Sequence, residues 1–205
     1  MSYHHGDLRR ALVDAALAIV AETDRWDLSL REVARRAGVS HNAPYAHFPD
    51  KGALLAAVGV RVYERLRGAT TAAAVGCRTA EEALVAIGRA YIAFGTENVA
   101  LYRLMSGQGL SVDGRLPEPV REAAEAARGV LREIIAEGAR EGSFDLDPND
   151  AEEVAAAVVS AWSVVHGFTL LAIDGLASRE TDIATARLAD MTLRRFMRGL
   201  TRRVA

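Results

Sequence analysis

One cysteine, Cys77, stands among 205 residues, so no disulfide can form within the chain. It sits just before a helix start with no histidine or carboxylate spaced to activate it. Such a thiol reads as structural and fits a reducing, cytoplasmic setting. An apolar leader is also missing, since MSYHHGDLRR offers nothing that directs secretion. There is no basic excess: 25 Lys+Arg face 27 Asp+Glu, so overall charge gives no argument for nucleic-acid binding. Strand-like alternation and internal repeats are absent, and five prolines with 17 glycines are too few for a low-complexity chain. No paired carboxylates, nucleophile triad or metal-ligand set can be picked out, and the adjacent His4 and His5 point apart with no third ligand. Nothing in the residues therefore supports catalysis, a cofactor or a metal. One run, Val154 to Ile173, is long enough to span a bilayer. It contains Ser160, Ser163, His166, Gly167 and Thr169 and lacks flanking basic residues, so it reads as a buried bundle helix and not as a membrane span.

What is present is helical. Half of the residues are apolar and alanine is abundant, which implies an all-α fold of about nine helices. Charge is unevenly spread: residues 1–67 hold ten Lys+Arg against eight Asp+Glu, and the remainder fifteen against nineteen. A mildly positive front and an acidic back suit different partners. Asp7 is a candidate cap for a first helix with Leu12, Ala15, Ala16, Ile19 and Val20 on one face. In LSLREV, Ser29 and Glu32 make a capping box while Leu28 and Val33 make a hydrophobic staple, so a second helix should begin at Leu30 and stop at Gly38. Asp50 can cap a long helix to about residue 74, and Thr79 with Glu82 opens another. Further helices are expected over about 98–106 and 119–140. Asp147–Pro148 reads as a cap and first-turn proline for a helix ending near Gly175, and a last helix spans about Thr181 to Arg202.

Between the second helix and the long one lies GVSHNAPYAHF, Gly38 to Phe48. Helix, glycine-containing turn and short helix make up the helix-turn-helix unit. Val39 and Phe48 are apolar anchors, whereas His41, Asn42 and Ala43 are too polar or too small to fill a core. Pro44 belongs in a first turn and disfavours helical conformation at Ala43. The short helix therefore starts with Ser40 as its cap or, later, with Asn42. Either way residues 41–47 should lie bare, as the start of a recognition helix must to meet base edges. Asn42 can bond adenine, the Ala43 methyl can touch a thymine methyl, and His41 can donate to guanine N7 or to phosphate. Tyr45 and His47 suit phosphate oxygens. Lys51 sits where the helix macrodipole disfavours a cation, a sign that a nearby phosphate would reverse.

Over about residues 7–60 the chain resembles the DNA-binding domain of the tetracycline-repressor (TetR) family of one-component transcription regulators, most clearly in LSLREVARRAGVSHNAPYAHFPDKGALLAAV. The commoner family pattern has Thr or Ser and an aliphatic residue before the tyrosine, where this chain has Ala43 and Pro44. The arm YHHGDLRRAL and the SH-x-APY core are similar to a branch whose C-terminal domain carries a Trp…His-Gly signature, and WSVVHG, Trp162 to Gly167, is similar to that signature. The resemblance implies a ligand-responsive regulator, usually a repressor. It implies a DNA-binding domain over 1–50, a connecting helix over about 50–74, and a ligand-binding and dimerisation domain over 51–205. By motif position Arg31, Ser40, His41, Asn42, Ala43, Tyr45, His47 and Lys51 are the DNA-facing candidates. The implied partners are a double-stranded operator, a small-molecule effector and a second copy of the chain held through the helices at about 148–175 and 181–202. Trp162 and His166, four apart, share a helix face. They are either a packed tryptophan with a hydrogen-bonded core histidine, or part of an effector pocket with Tyr91, Tyr102 and Met105 from neighbouring helices.

Overall fold

The first backbone N–H groups of a helix lack intrahelical partners, and at four helix starts this chain supplies side-chain oxygens to them. The computed structural model describes residues 5–23, 25–111 and 114–201. Helix α1 spans His5–Thr23. Glu32 N donates to Ser29 Oγ at 3.2 Å ahead of α2 (Leu30–Arg36), with Leu28 and Val33 both buried. Ala37 closes α2, and Gly38 follows at φ +69°, a left-handed conformation that glycine adopts without penalty. Ala53 N donates to Asp50 Oδ1 at 2.8 Å at the start of α3 (Lys51–Ala74). Before α4 (Ala80–Glu97), Glu82 N donates to Thr79 Oγ1 at 3.1 Å while the Glu82 carboxylate reaches back to Arg78 N at 2.9 Å. Helices α5 (Val99–Ser106) and α6 (Glu118–Arg140) follow. Asp150 Oδ1 accepts from Glu152 N and Glu153 N at 2.9 and 3.1 Å and so starts α7 (Ala151–Ile173). Helix α8 spans Thr185–Leu200.

Three boundaries differ from the sequence reading. Asp7 lies inside α1 and is not its cap. Asp147 is spent on a local turn, accepting from Asn149 N at 2.9 Å, so the start of α7 moves from Pro148 to the next competent oxygen, Asp150. The last helix begins at Thr185 and not near Thr181, because the Thr181 hydroxyl accepts from Ile183 N and holds a turn there. Among the described residues there are eight α-helices and no strand. The expected ninth helix is a single 3₁₀ turn, Ala43–Ala46.

Two compact units divide the chain. The first takes the residues through Arg65 together with Asn98–Glu125, and α1 packs there on both α2 and α5. Its core holds Leu12, Ala16 and Val20 of α1, Val33 and Ala34 of α2, Leu54, Val58 and Val62 of α3, and Tyr102 and Leu104 of α5. The second takes Leu66–Glu97 and the residues from Ala126 onward, with α4 packed on α7 and α8. Ile87, Ile135, Phe144, Ala161 and Met197 form one of its apolar clusters, and Ile92, Val165, Phe168 and Leu193 another. Helix α7 is long and apolar enough to cross a membrane by length and composition, and it packs against α4 and α8.

Candidate nucleic-acid interface

The turn between α2 and α3 is held from inside by two side chains. Phe48 is 1% exposed, and Pro44 is buried as well, with its carbonyl accepting from both His47 N and Phe48 N at 2.9 Å. The backbone winds tightly, with Ala43 N donating to Ser40 O at 3.0 Å and Tyr45 N to Asn42 O at 3.2 Å. Asn42 occupies the cap position of the 3₁₀ turn, yet its side chain makes no capping bond. An amide not consumed by its own backbone keeps both donor and acceptor for another molecule.

Not all of residues 41–47 lie bare. Ser40, His41, Asn42, Tyr45 and Ala46 are exposed, Ala43 and His47 are half-buried, and Pro44 points into the protein. The sequence placed a proline in a presented segment; the structure uses its apolar ring as a second anchor beside Phe48. Tyr45 is 52% exposed, far beyond what a packing tyrosine shows. Arg31, in the first turn of α2, and Lys51, in the first turn of α3, are exposed and, among the described residues, face no carboxylate within ion-pair distance. The eight residues picked out by motif thus fall on one helix-turn-helix and its flanks. Ala46 is exposed beside them, as expected of the 41–47 segment, although it was not among the DNA-facing candidates. His4 lies outside the described residues.

The second group of candidates divides. Tyr91 on α4 and Trp162 and His166 on α7 come together in the second unit. Trp162 Nε1 donates to the Tyr91 hydroxyl at 3.4 Å, and the hydroxyl lies 3.2 Å from His166 Nδ1. The Trp162 and His166 rings are 5.7 Å apart and tilted by 52°. With the imidazole neutral and protonated on Nε2, the bonds run in one direction from indole N–H to phenol O–H to imidazole nitrogen. Burial pushes the His166 pKa down, which favours that neutral ring. Tyr102 and Met105 do not join this cluster. They belong to the first unit, where Tyr102 is fully buried and the Met105 carbonyl accepts from the Tyr63 hydroxyl at 3.3 Å. The reason is that α5 packs on α1, a pairing that helical spacing alone does not reveal. A residue that sequence reasoning missed, Arg128 of α6, lies over the Trp162 ring at 5.5 Å. Nothing in its sequence neighbourhood marks it.

Residues 12–58 match the family of bacterial regulatory proteins named for tetR, and residues 84–196 match the tetracyclin repressor-like C-terminal domain. The chain belongs to the TetR family. It is therefore a transcription regulator with an N-terminal helix-turn-helix DNA-binding domain. It is 28% identical over 197 residues to the uncharacterised HTH-type transcriptional regulator Rv0681 of Mycobacterium tuberculosis, covering 95% of this chain and 82% of that one. A Rhodococcus sp. RHA1 protein of unknown function is 30% identical and superposes with a TM-score of 0.83 over 98% of this chain and all of that one. The transcriptional regulator FadR of Bacillus subtilis, solved in complex with stearoyl-CoA, shares the fold at a TM-score of 0.70 and 15% identity, covering 93% of this chain and 98% of that one.

Proposed function

We propose that this TetR-family regulator binds a roughly palindromic operator as a homodimer, represses from it, and is released when a small molecule binds its second unit. The observation that supports DNA reading most directly is the division of labour in Gly38–Phe48. Pro44 and Phe48 are buried, while His41, Asn42 and Tyr45 are exposed and the Asn42 side chain makes no capping bond. Asn42 and Ala43 are assigned to base edges, with His41 at guanine N7 or phosphate. Arg31, Ser40, Tyr45, His47 and Lys51 are assigned to the phosphate backbone, which sets register without reading sequence.

Two further features support the rest of the reading. Val159 and Leu171 on α7 are 56% and 46% exposed and Met191 on α8 is 48% exposed, more apolar surface than two helices of a monomer need show water. A second copy packed on α7 and α8 would cover it, and a dimer supplies the two reading turns that successive major grooves, roughly 34–36 Å apart, call for. The hydrogen-bonded Trp162, Tyr91 and His166 cluster gives the Trp…His-Gly signature a structural role, which supports reading the chain as a member of that branch of the family. It is also the polar anchor from which an effector site in the second unit is built. Helix α3 runs through the boundary between the two units at Arg65 and Leu66, so it is the element through which effector binding reaches the reading turn. The effector shifts the balance only by its differential affinity for the two states, typically about 1–3 kcal/mol.

The test begins with selection of a duplex by the wild-type protein from a random-sequence pool. Asn42→Ala should still bind that duplex but tolerate substitution at one base pair per half-site, with roughly 1–3 kcal/mol of discrimination lost there. Lys51→Ala should weaken all sequences alike and lower the salt slope by about one contact. If Asn42→Ala keeps the full base preference of the wild type, the base-reading assignment is wrong.

A further inference from the structure

In α1 and α2 some arginines are neutralised and others are not. Arg10 pairs with Asp14 at 3.7 Å, and Arg36 pairs with Glu22 in a bidentate bridge. Arg9, Arg31 and Arg35 are exposed and, among the described residues, face no carboxylate within ion-pair distance. Arg9 is held in place by a contact: its guanidinium carbon lies 5.1 Å from the centroid of the Phe48 ring. Phe48 is itself 1% exposed and anchors the C-terminal end of the reading turn, one residue after His47 and three before Lys51. A guanidinium stacked on an aromatic ring still offers its in-plane N–H groups at the edge, and it loses less rotamer freedom on binding than an unrestrained arginine would.

We propose that Arg9, from outside the helix-turn-helix, is a phosphate-binding residue of the DNA interface. Stacking on Phe48 preorganises it to pair with the phosphate flanking the base pairs read by Asn42. This rests on the reading of Gly38–Phe48 as the DNA-facing segment and adds a contact from α1 outside the eight residues picked out by motif position. Phe48 then does two things at once. Its buried side fixes the reading turn, and its ring aims a cation at the backbone beside that turn. Arg10, one residue on, is no substitute, because Asp14 already takes up its charge.

The experiment measures the affinity of the selected duplex between about 50 and 200 mM salt for wild type, Arg9→Ala, Arg9→Lys and Lys51→Ala, with thermal unfolding of each. One phosphate contact contributes about 0.9 to the log–log salt slope, so Arg9→Ala should lose roughly three- to four-fold less affinity than wild type across that range. Arg9→Lys should keep the wild-type slope, and Arg9→Ala with Lys51→Ala should lower it by about two contacts. Base preference should be unchanged in every Arg9 variant. A wild-type slope in Arg9→Ala overturns the proposal, whether or not the melting temperature falls; with a fall, Arg9 merely covers Phe48. Failure of the wild type to enrich any duplex is a different result, which removes the DNA-facing assignment itself and this proposal with it.

Discussion

Burial holds the His166 imidazole below its ordinary pKa of 6.5, so the folded chain resists taking up a proton that the unfolded chain accepts. Folding is therefore favoured by this group above 6.5, and the contribution is lost as pH falls through the lowered folded value. Denaturant midpoints followed from neutral pH downward should drop more steeply for wild type than for His166→Gln in the first step below 6.5, before carboxylates such as Asp190 titrate. Parallel profiles would show that the ring is no more shielded in the fold than out of it. At this scale the sequence was informative at three residues that bond the backbone close by. Ser29, Asp50 and Thr79 were legible as caps because oxygen and N–H lie within three residues of each other. It was uninformative about Pro44 and Tyr102, whose burial is decided by neighbours distant along the chain.

Helices were legible through their periodicity, and most of their ends through glycine or a capping oxygen. The misplaced start of α7 shows the limit: Asp147 and Asp150 are equally competent caps, and the choice depends on which one a local turn consumes first. Helix α6 offers a test of how far packing overrides propensity, since two of its glycines are in opposite situations. A Cβ built on Gly129 meets nothing within 4 Å, so Gly129→Ala should stabilise by about 0.5–1 kcal/mol through the helix preference of alanine. A Cβ on Gly138 would overlap the buried Phe144 ring, so Gly138→Ala should destabilise by about 1–3 kcal/mol despite the same gain in propensity. Urea unfolding of the two variants reads both signs at once. A stabilising Gly138→Ala would mean that Phe144 is free to move aside.

On the scale of the whole molecule, charge alone makes DNA binding expensive. Residues 68–205 carry fifteen Lys+Arg against nineteen Asp+Glu, so net attraction to phosphate has to come from residues 1–67. A single such segment makes few contacts; two on the proposed dimer bind with the second event made intramolecular, a gain of roughly 10²- to 10⁴-fold. If the proposed dimer packs through α7, the exposed Val159 and Leu171 side chains are the place to remove that gain without changing Gly38–Phe48. A charged pair, Val159→Arg with Leu171→Glu, would need desolvation to enter a helix–helix interface, and both positions tolerate charge in an isolated subunit because they already face water. Sedimentation should then show a monomer with an unchanged helical circular-dichroism signal. Affinity for the full selected duplex should fall by about 10²- to 10⁴-fold while affinity for a duplex carrying one half-site stays at its wild-type value. If the variant remains dimeric, α7 is not the dimer surface. If it is monomeric and still binds the full duplex at wild-type strength, the operator is read by one subunit, and the palindrome expected in the selected sequence should be missing as well.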